Sequence, residues 1–343
     1  MEERMEFKIT ILDDTREEIW DNLVNSSPFG TIFHTVDWLK IVKKHSDAEF
    51  LPIMVYNGTQ LIAIYPVFVV RHGFIKLARS PPSGALILYL GPVIAGYGSM
   101  DQPTKEKVYF RIQQAVDNYL FNTVGCRYVR IRSPPGVFDS RPLQWSGYSV
   151  EPFYTYRIDL TKGIERIWED FDRKLRVDIN KTIRAGMTIR QGVLEDLEFI
   201  QDLLDVRYLQ QGLLPVDYRK YLRDLYERFY PENLKIFVVE YNGKRVGGTI
   251  NLVFNNGMFL WVGVPKTEMA GVSPNDLVQW EAIKWAQANG LAFYEEMDAG
   301  DDPRLRHFKS KYNPGLSIWY VATKYSSVLF EIGVNIYRLF RRQ

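Results

Sequence analysis

The chain has 343 residues, 46% hydrophobic and 24% charged, which is ordinary for a globular protein with a large core. At about 150 residues per domain, that length favours two domains. The formal net charge of +2 indicates no general polyanion binder, so a nucleic acid would have to bind a local basic patch. The single cysteine, Cys126, excludes internal disulfides and zinc–thiolate sites.

Hydropathy and the amino terminus indicate where the protein resides. No apolar run reaches the about 18 residues of a membrane span. The acidic start of the chain has no signal-peptide core. We therefore expect a soluble, cytoplasmic protein without stable membrane insertion.

Hydrophobic periodicity in the first half predicts alternating strands and helices. The predicted elements are the strand Phe7–Leu12, the helix Asp14–Asn25, a helix from Phe33 to about His45, the strands Phe50–Tyr56, Gln60–Val70 and Ala85–Leu90, the helix Lys105–Asn122 and the strand Cys126–Arg132.

The second half continues with the same kinds of pattern. Its predicted elements are the strand Tyr154–Leu160, one long helix Gly163–Ala185, the strand Thr188–Gln191, the helices Leu194–Gln211, Asp217–Phe229 and Pro274–Asn289, the strand Leu291–Asp298 and a final helix Val328–Arg342.

A hairpin signal occurs once in each half. Asn57-Gly58 and Asn242-Gly243 each separate two apolar runs, and Asn-Gly is typical of a type I′ turn. A glycine-bearing strand, a helix and a further strand follow each hairpin. The repeat predicts two similar α/β domains, residues 1–153 and 154–343, with a cleft between them.

The final helix combines an apolar face with carboxyl-terminal arginines. Its apolar face predicts docking on the second domain, which we favour. The alternative is peripheral contact with a membrane surface.

Several motifs carry a family resemblance. They are the opening Phe33–Trp38, the basic helix Lys174–Gly186, the segment Gly271–Gly290, and the run from Glu296 through Asp298 and Gly300 to Phe308-Lys309-Ser310-Lys311-Tyr312. Together they resemble the Fem-type (FemA/FemB/FemX) peptidyltransferase family. That resemblance implies two tandem N-acetyltransferase-like (GNAT) domains, each an α/β (α+β) fold with a mixed central sheet flanked by helices. In this fold two neighbouring strands splay apart where the acyl donor lies.

The resemblance implies a catalytic role for Lys309 in the second domain, and the position of Asp298 at a strand end indicates a second candidate. Lys309 lies where the family places a lysine that stabilises the tetrahedral intermediate, as acyl transfer requires. The alternative is a solvated lysine beside Lys311. Asp298 ends a strand, where it could accept the amine proton or hold a substrate ammonium. Its alternative is an Asx turn that ends the strand.

Other positions are candidates for binding substrate. Arg207 with Tyr218 and Tyr221 resembles the family's acceptor-side arginine and tyrosine pair. Lys43 is a looser match to its first-domain phosphate lysine, and Trp261 would face the splayed strands. The alternatives are surface charges or ion pairs for the cations and core packing for Trp261.

The donor is inferred from the loops and from the basic helix. The loops Lys266–Pro274 and Ala95–Met100 lack the glycine-rich pattern that binds the coenzyme A pyrophosphate, which argues against that donor. Arg176, Lys181 and Arg184, with Lys311, could instead contact tRNA phosphates. Their alternative is a solvated helix face. The four histidines show no ligand spacing, so we expect no metal or cofactor.

The leading hypothesis is an aminoacyltransferase that moves an amino acid from aminoacyl-tRNA to an amine of a cell-envelope, peptidoglycan-like peptide precursor. One alternative is an N-acyltransferase that uses acyl-coenzyme A or an acyl carrier protein on an amino sugar, such as a nucleotide-sugar. Another is a non-catalytic ligand-binding protein of the same fold.

Overall fold

The computed structural model describes residues 7–136, 139–263, 271–272, 274–298 and 302–341, with side chains described up to residue 334 in the last helix. These residues form two compact units. Unit 1 comprises the chain up to Phe153 together with the segment from Ile318 onward, and unit 2 comprises Tyr154–Ser317. The second domain predicted from the sequence includes the final segment, which belongs to unit 1 in the structure because of the strand pairing described below.

Unit 1 is built on a mixed sheet. Its strands are β1 (Phe7–Ile11), β2 (Glu49–Asn57), β3 (Gln60–His72), β4 (Ile75–Ser80), β5 (Val93–Ile94) and β6 (Cys126–Arg132). They run in the order β1-β2-β3-β4-β6, with β5 beside β3. β4 and β6 are parallel, and the other pairs are antiparallel. The last strand of the chain, β13 (Gly315–Tyr325), closes this sheet because Val321–Tyr325 pair antiparallel with β6.

The described residues of unit 1 also form α-helices. They are α1 (Glu17–Ser26), α2 (Val36–Lys44), α3 (Gln102–Asn118), which continues as a π-helical turn over Tyr119–Thr123, α4 (Arg141–Trp145) and α11 (Val328–Arg341). The core includes Tyr65 of β3, Ile112 of α3 and Val129 of β6, each at most 2% exposed. None of the helices in the described part of the chain combines the length and apolar composition needed to cross a membrane.

Unit 2 repeats this topology. Its strands are β7 (Ser149–Asp159), whose residues from Tyr154 onward belong here, β8 (Thr188–Gln191), β9 (Leu234–Tyr241), β10 (Lys244–Phe254), β11 (Gly257–Gly263) and β12 (Phe293–Asp298). They run in the order β8-β9-β10-β11-β12-β7, with only β11 and β12 parallel. Each unit therefore has three antiparallel steps, one parallel step and an antiparallel closing strand, which is the duplication predicted from the hairpins.

In the described residues of unit 2, six α-helices flank the second sheet. They are α5 (Ile164–Asp170), α6 (Arg173–Arg184), α7 (Leu194–Gln210), α8 (Arg219–Phe229), α9 (Pro274–Ala288) and α10 (Pro303–Ser310). The predicted single helix Gly163–Ala185 is wrong. Phe171 is extended (ψ 147°), and Asp172 accepts hydrogen bonds from the first backbone amides of α6, so a new helix begins there.

Two other sequence predictions differ from the structure. Ala85–Leu90 is not a strand, because Leu86 has a left-handed backbone (φ 53°) that interrupts any extended pairing. The type I′ turn is correct in unit 2, where Asn242 (φ 51°) and Gly243 (φ 71°) are both left-handed. In unit 1 Asn57 pairs with Gln60, so the turn residues are Gly58 and Thr59 instead.

The parallel pair β11 and β12 is unusually short. It joins Gly257–Phe259 to Phe293–Glu295, and both strands continue beyond the last paired residues. The strands thus separate over Leu260–Gly263 and Glu296–Asp298. This is the splay expected from the sequence resemblance.

Gly257 starts this pairing and tolerates no side chain. A Cβ there would lie 2.2 Å from the Phe293 ring of the neighbouring strand. We expect Gly257→Ala to lower the free energy of unfolding by about 1–3 kcal/mol, the usual cost of overpacking. Urea denaturation checks this, with Gly263→Ala on the same strand as control, because its Cβ would meet only an ordinary contact at 4.0 Å. Equal stability of the two variants would contradict the prediction.

Candidate active site

The candidate site lies in unit 2, where β12 leaves its parallel partner. A β-bulge interrupts the pairing of β12 with β7 between Glu295 and Asp298. Met297, inside the bulge, has a left-handed backbone (φ 56°), which is rare for a residue with a long side chain. Bulges of this kind turn a strand and redirect its groups.

Side chains donate hydrogen bonds to the main-chain carbonyls at this end of β12. The Lys309 ammonium on α10 donates to the Glu296 carbonyl (Nζ–O 2.5 Å) and to the Asp298 carbonyl. The Thr155 hydroxyl on β7 donates to the Met297 carbonyl. Three successive carbonyls thus obtain side-chain donors at the point where the strand has left β11.

Lys309 is buried, with 6% of its surface exposed, so it is not the solvated lysine considered as the alternative. Burial lowers the pKa of its ammonium, and the neighbouring acidic residues oppose this effect. An ammonium has three N–H groups, and the two carbonyls use two of them. Asp298 provides one of those carbonyls, and its side chain is half-buried at the carboxyl end of β12.

Glu296 is the most unusual titratable group near Lys309. Its side chain is completely buried, and Gln279 of α9 donates to Oε1. Oε2 is also buried and has no hydrogen-bond partner among the described residues. Burial raises the pKa of this carboxyl to about 8, against the opposing effect of the Lys309 charge.

Glu295, the adjacent residue, points to the opposite side of the strand and is also fully buried. Its Oε2 lies 2.7 Å from Nε of Arg157 on β7, whose guanidinium stacks over the Phe293 ring at 4.3 Å. This acid is therefore compensated by an ion pair, whereas Glu296 has no direct ion pair among the described residues.

Lys311 was predicted to contact the donor. In the structure its Nζ lies 2.8 Å from Oδ1 of Asp276, in the first turn of α9, and 4.6 Å from the centre of the Phe308 ring. Tyr312 donates to the same Asp276 oxygen at 3.2 Å. Lys311 thus ties α10 to the amino-terminal end of α9.

The basic helix α6 begins beside this group. The Asp172 amide donates to the Lys311 carbonyl (2.9 Å), and Lys181 donates to the Gly271 carbonyl (3.2 Å) just before α9. Lys181 and Arg184 are exposed, whereas Arg176 is half-buried with no hydrogen-bond partner for Nε in the described structure. The three predicted donor-binding cations therefore share a helix that starts at the candidate site.

The acceptor-side candidates form a separate group. Arg207 on α7 is half-buried, as is Tyr218, which immediately precedes α8. Tyr221 is only 5% exposed, and its ring centre lies 6.4 Å from that of Tyr218. Of the two tyrosines, Tyr218 is therefore the more accessible to a ligand.

The last two predicted residues lie elsewhere. Trp261 is the extra residue of a bulge between β10 and β11, on the part of β11 that has separated from β12, and it is half-buried. Lys43 is exposed on α2 of unit 1. The structure thus brings Lys309 into direct contact with Asp298, places Lys311 at the end of the same helix with Asp276 as its partner, and leaves Lys43 in the other unit.

Sequence reasoning missed Thr155, Arg157, Asp276, Gln279, Glu295 and Glu296. A signal for the two glutamates was present. They are adjacent and follow an apolar run in their strand, and adjacent strand residues face opposite sides. At least one acid therefore had to face a packed side of the sheet. The loop Lys266–Pro274, used to argue against coenzyme A, lies largely outside the described residues, as do Ala299 and Gly300.

Comparison with protein families supports a transferase. Residues 170–310, which include α6, α9, β12 and Lys309, match the family described as acetyltransferase (GNAT) domain. No curated protein matches the sequence. The family match agrees with the splayed strands, and the protein is an enzyme of the transferase class with a GNAT fold.

Solved structures with this fold extend over almost the whole chain. FemX is 13% identical, with a TM-score of 0.71 over 91% of this chain and 96% of its own. The C-terminal domain of a putative lysylphosphatidylglycerol synthetase from Agrobacterium fabrum is 14% identical (TM-score 0.55; 91% and 92% covered). A tandem GNAT protein from the clavulanic acid biosynthesis pathway is 11% identical (TM-score 0.56; 94% and 99% covered). The mixed α/β, tandem GNAT architecture is therefore confirmed.

The buried carboxyl of Glu296 should give folding a distinctive pH dependence. Folding raises the pKa of this carboxyl to about 8. Between about pH 5 and 8, the native state therefore binds more protons than the unfolded state. Stability is therefore lost as the pH rises through this window. We expect Glu296→Gln to gain melting temperature relative to wild type between about pH 5 and 8, by at least ~2 °C.

Thermal denaturation across that range checks this prediction. Glu227→Gln, at an exposed position on α8, serves as the control. Its melting temperature should change with pH in the same way as that of wild type. If the Glu296→Gln curve also ran parallel to that of wild type, Glu296 would not be a buried titrating group.

Proposed function

We propose that the protein is an aminoacyltransferase that moves an amino acid from aminoacyl-tRNA to an amine of a cell-envelope, peptidoglycan-like peptide precursor. The observation that carries the proposal is the buried ammonium of Lys309, held by two carbonyls at the end of β12. The Fem-type sequence motifs coincide with this place, since Asp298 and Lys309 belong to the most specific of them.

Lys309 would act on the charge that develops during transfer. The amine nitrogen attacks the ester carbonyl carbon of the aminoacyl group, a C–N bond forms, and the carbonyl oxygen becomes an oxyanion. The third N–H of Lys309 would be donated to that oxygen. A charge fixed in advance in a buried place stabilises an oxyanion better than a solvated lysine does.

Asp298 would manage the proton of the attacking amine. As the tetrahedral intermediate collapses, the C–O bond to the tRNA ribose breaks, and the proton removed from the amine passes to the departing ribose oxygen. A carboxylate at the carboxyl end of β12, one residue beyond the bulge, supports this role.

The donor and acceptor would contact different helices. The exposed cations of α6, Lys181 and Arg184, would bind tRNA phosphates, with Arg176 and Lys311 near the start of that helix. Arg207 and Tyr218 would bind the acceptor with Tyr221, and Trp261 and Lys43 remain predicted contacts. A charged-tRNA donor would place the reaction in the cytoplasm. The likeness to FemX supports this assignment.

Acetyl-coenzyme A is the second candidate donor, with an amino sugar as acceptor. The match of residues 170–310 to the acetyltransferase (GNAT) domain favours it. Both proposed reactions form an oxyanion on the acyl carbonyl. They differ in the group that leaves the acyl carbon.

Lys309→Met tests the catalytic assignment. Loss of one oxyanion donor should lower the rate of amino-acid transfer by about 10²–10³-fold. Transfer of a labelled amino acid from charged tRNA to a precursor peptide with a free amine measures this, with Lys244→Met, at an exposed hairpin position, as control. The substitution also removes a donor from two carbonyls, so the assay is run below the melting point of the variant. Wild-type turnover in a folded Lys309→Met protein would refute the assignment.

Ligand-induced stabilisation tests the donor. A ligand at about 100 times its dissociation constant stabilises the fold by ~2.7 kcal/mol, which should raise the melting temperature by at least ~2 °C. We expect charged tRNA to raise the melting temperature more than uncharged tRNA does. Arg184→Gln should reduce the shift caused by either tRNA. A shift with acetyl-coenzyme A alone would favour the second candidate, and binding without transfer by any donor would favour a non-catalytic protein.

A further inference from the structure

The last helix presents an apolar surface that the enzyme site does not use. Val328, Leu329 and Ile332 of α11 are 70%, 82% and 49% exposed. They lie at i, i+1 and i+4, which is one face of a helix. We refer to these three residues as the α11 stripe.

A different side of α11 contacts the rest of unit 1. Phe330 and Val334, also four residues apart, are half-buried, and the Phe330 ring centre lies 6.3 Å from that of Tyr325 on β13. Packing of the helix therefore leaves the stripe uncovered in the described structure. The expected docking of the apolar face does not account for these three side chains.

The sequence extends the same pattern toward the helix end. Ile336 and Leu339 continue the spacing of the stripe. The same part of the sequence contains Arg338, Arg341 and Arg342, and Glu331 is the single acid between Val328 and Gln343. At 14 residues, α11 is shorter than the about 20 that a membrane span needs. An apolar face, a basic end and insufficient length to span are typical of a helix that lies in a membrane interface.

We propose that α11 binds the surface of an anionic phospholipid membrane, with the stripe in the acyl boundary and the arginines at the headgroups. A second copy of the chain would cover the stripe as well, but it brings the same excess of arginine, whereas anionic headgroups supply the opposite charge. The proposal does not depend on the chemistry at Lys309, so either can fail without the other.

Sedimentation with vesicles tests the proposal on the full chain. Wild type should bind vesicles of phosphatidylcholine mixed with phosphatidylglycerol and bind pure phosphatidylcholine vesicles at least ~10-fold more weakly. Leu329→Glu should lower binding to the anionic vesicles by ~10-fold or more, because it removes an apolar side chain that would enter the acyl boundary and adds a negative charge that the headgroups repel. The matched control is Leu214→Glu, an 89% exposed leucine of unit 2, which should bind as wild type does.

Three results would overturn the proposal. The first is equal binding to both vesicle types, and the second is an equal loss of binding in Leu329→Glu and Leu214→Glu. The third is a dimer in analytical ultracentrifugation that Leu329→Glu dissociates while vesicle binding is absent, which would assign the stripe to a second copy. Arg338→Gln gives an independent variant: it should reduce binding to the anionic vesicles and leave the weak binding to phosphatidylcholine unchanged.

Discussion

The early end of pairing between β11 and β12 is the constraint on which the candidate site depends. Buried main-chain carbonyls require donors, and a strand that leaves its neighbour loses them. At the end of β12 the ammonium of Lys309 and the hydroxyl of Thr155 are those donors. The hydrogen bonds that satisfy these carbonyls therefore also fix the Lys309 ammonium in a buried position. The same contacts thus serve the stability of the fold and the candidate chemistry.

Buried charge around β12 is balanced unevenly, and the imbalance distinguishes the two glutamates. Glu295 has Arg157 at 2.7 Å, so desolvation is offset by a direct ion pair. The Glu296 carboxyl accepts a hydrogen bond from the neutral Gln279 and interacts with the Lys309 charge without direct contact. A carboxyl without a direct cation is held near its neutral form. One strand thus carries an acid in a direct ion pair next to an acid whose pKa burial raises to about 8.

Local patterns in the sequence predicted the repeat, the order of strands and helices, and the position of Lys309 after a strand and a loop. They failed for two different reasons. The break between α5 and α6 depends on Asp172, a local helix cap that the hydrophobic pattern does not register. The membership of β13 in unit 1 depends on pairing with β6, which is distant in the sequence. The partners of Lys309 were also out of reach, because they are backbone atoms. Only the adjacent Glu295 and Glu296 carried a signal that could have been used.

The pairing of β13 with β6 also bears on how the chain acquires its structure during synthesis. The paired residues are roughly 190 positions apart, so the ribosome completes all of unit 2 before the strand that closes unit 1 emerges. Until then the β6 edge of the nascent first sheet has no neighbour on that side, which makes it open to pairing with other chains. The first unit therefore cannot complete its sheet until after the second unit has been synthesised, although it begins nearer the amino terminus.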